Sequence, residues 1–92
     1  MGMTSDDIQK ALRVRRAVKE YFETSHETKV QAKELMKLFM EKGIFTKNTQ
    51  DGLQIREFLK YLDEQNHIHL IPQIYFEQNK VSKSWFFIES SK

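Results

Sequence analysis

The stretch LQIREFLKYLDEQNHIHLIPQIYF, residues 53–76, changes its hydrophobic period half-way along, and that change decides the fold. Ile55, Phe58, Leu59 and Leu62 recur at the three- and four-residue spacing of one helix face. From Ile68 onward the apolar residues alternate. Ile68, Leu70, Pro72, Ile74 and Phe76 share one parity, which predicts one face of an extended strand. Pro72 has no N–H to donate to a ladder, so an edge position or a bulge is expected there. Asp51 is placed to cap the helix with Gln54 three residues on, and the helix is expected to end near Asp63–Asn66. The expected spans are a helix over about 51–65 and a strand over about 67–77.

Outward from this stretch the other elements follow. EQNKVSK, residues 77–83, has only Val81 as an apolar residue and reads as a turn. SWFFIE returns as the second strand, over about 83–89. Towards the N-terminus, Ile8, Ala11, Leu12, Val14, Val18, Tyr21 and Phe22 predict a helix over about 6–24. Thr4 or Ser5 caps it, and Asp6 and Asp7 suit the positive end of its dipole. A further helix over about 30–42 carries Ala32, Leu35, Met36, Phe39 and Met40 as its core stripe. Its start has two readings. Val30 forms a very short strand, or Thr28 caps the helix with Gln31 completing a capping box. Gly43 is placed to end it in the left-handed conformation, with Ile44 folding back as the hydrophobic closure. The fold class expected is α+β, mainly α: three helices closed by a C-terminal hairpin, one domain over residues 1–92.

Composition narrows the function classes. Fifteen Lys and Arg against thirteen Asp and Glu leave a net charge of +2, too mild for binding nucleic acid by bulk charge alone. The absence of cysteine excludes disulfides, thiolate metal sites and cysteine nucleophiles. No apolar run approaches the roughly 20 residues that cross a bilayer, and MGMTSDD has neither the charge nor the apolar stretch of a signal peptide. Asp6 stands where myristoylation prefers Ser or Thr. A cytoplasmic protein without a membrane contact is expected. No glycine-rich phosphate loop, serine elbow or zinc-protease helix motif occurs, so neither an enzyme nor a cofactor is expected.

VQAKELMKLFMEKGIF, then LQIREFLKYLDEQNHIHLI, then SWFFIE resembles a winged helix-turn-helix domain over roughly Val30 to Glu89. The resemblance implies binding of double-stranded DNA, as a small transcriptional regulator and a dimer. It makes 51–65 the recognition helix, whose N-terminal side chains approach base edges. Lys47, Asn48, Thr49 and Gln50 precede that helix, and Gln54 and Arg56 fall in its first turns. Asn and Gln suit adenine and Arg suits guanine. Lys47, Lys60, Lys80 and Lys83 are the candidate phosphate contacts. Against this, Glu57 and Glu64 point outward from the same helix, where a carboxylate repels the DNA backbone. An ordinary solvated face with a Glu57–Lys60 pair is the plainer reading.

Three other features carry an alternative each. Arg13, Arg15, Arg16 and Lys19 cluster on the first helix, but Glu20 and Glu23 lie four residues after Arg16 and Lys19, as in a self-paired solvated surface. In WFFI, only one of the pairs Trp85/Phe87 and Phe86/Ile88 can face the helices. With Ile71 and Tyr75 on the partner strand, Trp85 and Phe87 form the candidate protein interface, for self-association or an adaptor role that binds no DNA. His67 and His69 form His-x-His on the outward parity, but two ligands do not make a metal site, and none is expected.

Overall fold

The structure, a computed structural model, describes residues 4–46, 52–81 and 83–89. The first helix, α1, spans Ser5–Thr24. Thr4 caps it: its Oγ1 accepts from the Asp7 N–H at 3.1 Å, and Asp7 Oδ2 accepts from the Thr4 N–H at 3.3 Å. This reciprocal box satisfies two donors that a bare helix start leaves open. Ala11, Val14, Ala17, Val18 and Phe22 enter the core. Ile8 and Leu12, expected on that face, lie at its margin and stay exposed.

After α1 the chain makes a short strand, β1 (Lys29–Gln31). Of the two readings of this segment, the strand prevails over the Thr28 capping box. The Thr28 carbonyl accepts from the Glu89 N–H at 2.9 Å, and Val30 is buried beneath the sheet. A ladder with the C-terminal strand thus adds both backbone pairing and apolar burial, which one side-chain cap does not match. A 3₁₀ turn over Ala32–Leu35 runs into α2 (Met36–Glu41), so the expected helix begins as a tighter coil. Its end follows expectation. Gly43 has φ +72°, its N–H donates to Met40 O at 3.0 Å, and the Ile44 N–H donates to Phe39 O at 2.8 Å. This is a Schellman closure, with Ile44 buried behind it.

The third helix, α3, spans Leu53–Glu64 and buries Ile55, Phe58, Leu59 and Leu62. Gly52 stands at its N-cap with φ +78°. The expected cap, Asp51, lies outside the described residues. A Cβ on Gly52 would lie 2.7 Å from Lys33 Cβ and 2.8 Å from Lys33 Cα, so glycine lets the start of α3 press on the 3₁₀ turn. At the other end Asn66 takes φ +61°, and the His67 N–H donates to Leu62 O at 2.8 Å in a second Schellman closure.

The next segment corrects the expected strand. Residues Ile68–Leu70 form another 3₁₀ turn, Pro72 and Gln73 form a turn, and β2 covers only Ile74–Gln78. A helical turn rotates each residue by about 120° rather than 180°, so the parity that begins at Ile68 does not persist to Ile74. Ile71, expected to face outward, is fully buried. Pro72 is exposed and occupies no ladder position. Gln73 is buried, with Nε2 donating to the Arg15 carbonyl at 3.4 Å, while its Oε1 meets no donor among the described residues.

The last strand, β3 (Lys83–Ile88), lies between the other two in a three-stranded antiparallel sheet ordered β1-β3-β2. Phe87 pairs with Val30 on one side and Ile74 on the other. Its ring meets Phe39 edge-on at 6.1 Å, and Phe39–Phe45–Phe58 continue the chain of edge contacts at 5.9 and 6.0 Å. Trp85 and Phe87 therefore face the helices, and Phe86 and Ile88 face out. That corrects the candidate interface: Ile71, Trp85 and Phe87 are core, and only Tyr75 of the four is exposed. Three helices with a small three-stranded antiparallel sheet make an α+β fold compatible with a winged helix.

Two glycines separate backbone strain from crowding. Gly43→Ala meets nothing closer than Arg13 NH2 at 3.8 Å and is expected to cost about 1 kcal/mol, the left-handed penalty alone. Gly52→Ala adds the collision with Lys33 and is expected to cost on the order of 3 kcal/mol, read by urea denaturation of both variants.

Acid stability has a named source. The Thr4 backbone N–H, with the Thr4 and Tyr61 hydroxyls and Lys10, holds the Asp7 carboxyl below its ordinary value of 3.8. The Lys42 ammonium, by hydrogen bond and charge, does the same for Glu20 below 4.5. Both groups contribute stability above those unfolded values, and the contribution is lost as pH falls through the folded values. Asp7→Asn is expected to lower the thermal midpoint at about pH 7 and to lower it less at about pH 2, because acid progressively neutralises the wild-type carboxyl. Calorimetry at the two pH values checks this.

Candidate nucleic-acid interface

With Ile55, Phe58, Leu59 and Leu62 inward, helical geometry sorts the other residues of α3 into two flanks and a solvent face. One flank meets α1. There the Tyr61 hydroxyl donates to Asp7 Oδ2 at 3.1 Å, and Lys10 Nζ lies 5.6 Å over the Phe58 ring. The other flank meets the hairpin. There Asp63 Oδ2 accepts from Lys83 Nζ at 3.0 Å. Glu57, Lys60 and Glu64 are exposed between them.

The hairpin flank holds the candidate site. Two adjoining clefts of about 350 and 410 Å³ share Arg56, Lys83 and Trp85 as a common wall. Lys33 lines the first, beyond Arg56, and Lys60 and Glu57 line the second. Four cationic side chains and one carboxylate thus border a continuous trough beside α3. Lys83 sits 4.4 Å over the Phe76 ring and 5.3 Å over Trp85, which themselves stack at 5.5 Å. Its pair with Asp63 is a partly exposed one, of a kind worth at most about 1 kcal/mol, so a phosphate can compete for the ammonium.

The structure separates some residues that the sequence groups together. Arg56 faces the hairpin, whereas Gln54 lies on the α1 flank in a shallow hollow with Lys10, Phe45 and Tyr61. Lys60 joins Arg56 in the trough. Lys83 is the first residue of β3 rather than part of the hairpin tip, and Lys80 is exposed at that tip. Lys47, Asn48, Thr49 and Gln50 lie outside the described residues. Lys33 is the residue that sequence reasoning missed. Nothing local marks it, because its place beside Arg56 comes from the contact between the 3₁₀ turn and the start of α3.

One member of the basic run of α1, Arg13, has a structural use, while Arg15, Arg16 and Lys19 line an open hollow with Leu12. An Arg13 guanidinium nitrogen donates to the Lys42 carbonyl at 2.8 Å, tying α1 to the end of α2. Glu20 accepts from Lys42 at 2.9 Å, across elements rather than along its own helix towards Arg16. On the outer sheet face, Lys29 Nζ lies 4.9 Å over Tyr75 and 4.5 Å over Phe86, and it pairs with Glu77 at 3.1 Å. The His67 and His69 rings are 5.7 Å apart. Among the described residues no three His, Cys, Asp or Glu side chains gather as a metal site, and no helix is long and apolar enough to cross a membrane. No protein-family model matches the chain, and neither a curated protein nor a solved structure matches it significantly.

Trp85 is the sole tryptophan and a wall of the trough. Its fluorescence is expected to be quenched more by iodide than by caesium at low ionic strength, because the cations around it concentrate anions. Arg56→Glu is expected to reverse that order, and Stern–Volmer plots with both ions measure it.

Proposed function

We propose that the chain is a winged-helix module that binds duplex DNA, with α3 as the recognition helix and the β2–β3 hairpin as the wing. The convergence of Lys33, Arg56, Lys60 and Lys83 on the trough between them carries this reading. A cationic trough beside an exposed helix suits a phosphate strand running between helix and wing, while the N-terminal part of α3 approaches base edges. Lys47, Asn48, Thr49 and Gln50 precede that end in sequence, and Gln54 flanks it on the α1 side. Lys80 at the wing tip extends the positive surface. Glu57 and Glu64 weaken the attraction on the solvent face and favour a docking tilted towards the wing. A regulator of transcription acting in the cytoplasm is the biological role that follows.

The second reading is an adaptor that contacts protein through the hairpin. Tyr75 and Phe76 favour it, both 40% exposed and on opposite faces of β2.

A labelled duplex titrated between about 50 and 200 mM salt tests the first reading. Each phosphate contact contributes about −0.9 to the slope of log affinity against log salt. Arg56→Glu and Lys60→Glu are each expected to weaken binding and to flatten that slope by about one. Glu57→Lys, on the edge of the same trough, is expected to strengthen binding. Absence of any binding at the lowest salt rejects DNA as the ligand.

A further inference from the structure

β2 is an edge strand, and its backbone alternation can be worked out from one bond. The Ile88 N–H donates to the Gln73 carbonyl at 2.8 Å, one step before the Ile74–Phe87 pair. Gln73 and Ile88 are therefore a hydrogen-bonded pair, and such pairs alternate along an antiparallel ladder. Tyr75 and Glu77 must direct their N–H and C=O groups to β3. Phe76 must direct both of its groups to the open side of the sheet. The Ile74 carbonyl points the same way, while its N–H turns back to Ile71 O at 3.1 Å. An edge that offers a donor and an acceptor at one residue, with aromatic side chains on both faces, is a template for another strand.

We propose that β2 pairs antiparallel with β2 of a second copy of this chain, about a two-fold axis at Phe76. The interface stands whether or not the chain binds DNA. In this register each Phe76 N–H donates to the Phe76 carbonyl of the second copy. The two Phe76 rings meet on the inner face, each already stacked on its own Trp85. On the outer face Tyr75 stands opposite Glu77 of the second copy. Directly opposed Cβ atoms lie about 4.5–5.5 Å apart. Lys29 Nζ sits over Tyr75 at 4.9 Å and holds its own Glu77 at 3.1 Å. The second copy's Glu77 therefore arrives beside an ammonium that already bridges to β2. Two Lys29 and two Glu77 alternate in sign across the axis. Moving the axis one residue, to Glu77, would oppose two carboxylates directly, so charge selects the Phe76 register. A strand from an unrelated protein could use the same backbone groups, but it would bring no carboxylate fixed opposite Tyr75. The product is one continuous antiparallel sheet ordered β1-β3-β2-β2-β3-β1.

Sedimentation equilibrium of the whole chain from about 1 to about 500 µM reads the association. A reversible dimer is expected, and amide exchange of Phe76 is expected to slow as concentration rises. Phe76→Pro removes the outward N–H without removing a bond to β3, and is expected to weaken the dimer at least about tenfold. Phe76→Val keeps the N–H and is expected to retain more of the dimer. Glu77→Lys places cations on both sides of the axis and is expected to dissociate it, and adding Lys29→Glu to Glu77→Lys is expected to restore it. Circular dichroism confirms that each variant is folded. Should Phe76→Pro not fold, Glu77→Lys and the exchange data decide. A monomer throughout the range, or a dimer indifferent to Glu77→Lys and with concentration-independent exchange at Phe76, overturns the proposal.

Discussion

The structure depends on β3 being the central strand. Its backbone pairs with β1 on one edge and β2 on the other, and its inner side chains enter the helical core. Phe87 is where these roles meet: fully buried, paired with Val30 and Ile74, and edge-on to Phe39 of α2. A two-stranded hairpin alone is marginal in water. The third strand and the helices beneath convert it into a face with apolar burial. Without β3 in place, Lys29–Gln31 would have no ladder, and the local preference for a helix cap at Thr28 would go unopposed.

A second constraint positions the site. Gly52 allows the first turn of α3 to close on the 3₁₀ turn at Lys33, nearer than any side chain would permit. That approach brings Lys33 to the same trough as Arg56. Trp85, held inward by the register of β3, supplies the wall between helix and hairpin. The trough is thus made by three segments distant in sequence, each placed by packing rather than by its own charge.

Charge has two uses in this chain. On α1 and at the end of α2, Arg13, Lys42 and Glu20 tie elements together, so a run of basic residues that looks like an anion patch is partly structural. Along α3, Arg56, Lys60 and one acid, Glu57, border the trough beside the hairpin, where Lys33 and Lys83 add two more cations, and Glu64 lies on the solvent face. A mild net charge therefore hides an uneven distribution, which matters more for binding a polyanion than the total does.

The helices were legible because their signals are local. Thr4 with Asp7, Gly43 with Ile44, and the spacing of Ile55, Phe58, Leu59 and Leu62 each act within a turn or two of chain. The sheet was legible only in outline. Alternation alone places Ile71 outward, but a 3₁₀ turn resets the phase before Ile74. Trp85 and Phe87 could not be told from Phe86 and Ile88, since strand parity names two faces without saying which one meets the core. By itself the sequence determined the three helices in outline, the closing hairpin, the Thr4 cap and the Gly43 closure, since capping and periodicity are short-range. Tertiary structure alone decided the β1 strand, the inward face of β3 and the company of Lys33 and Arg56. Those outcomes depend on which apolar surface each segment finds to bury, and that surface belongs to residues far along the chain.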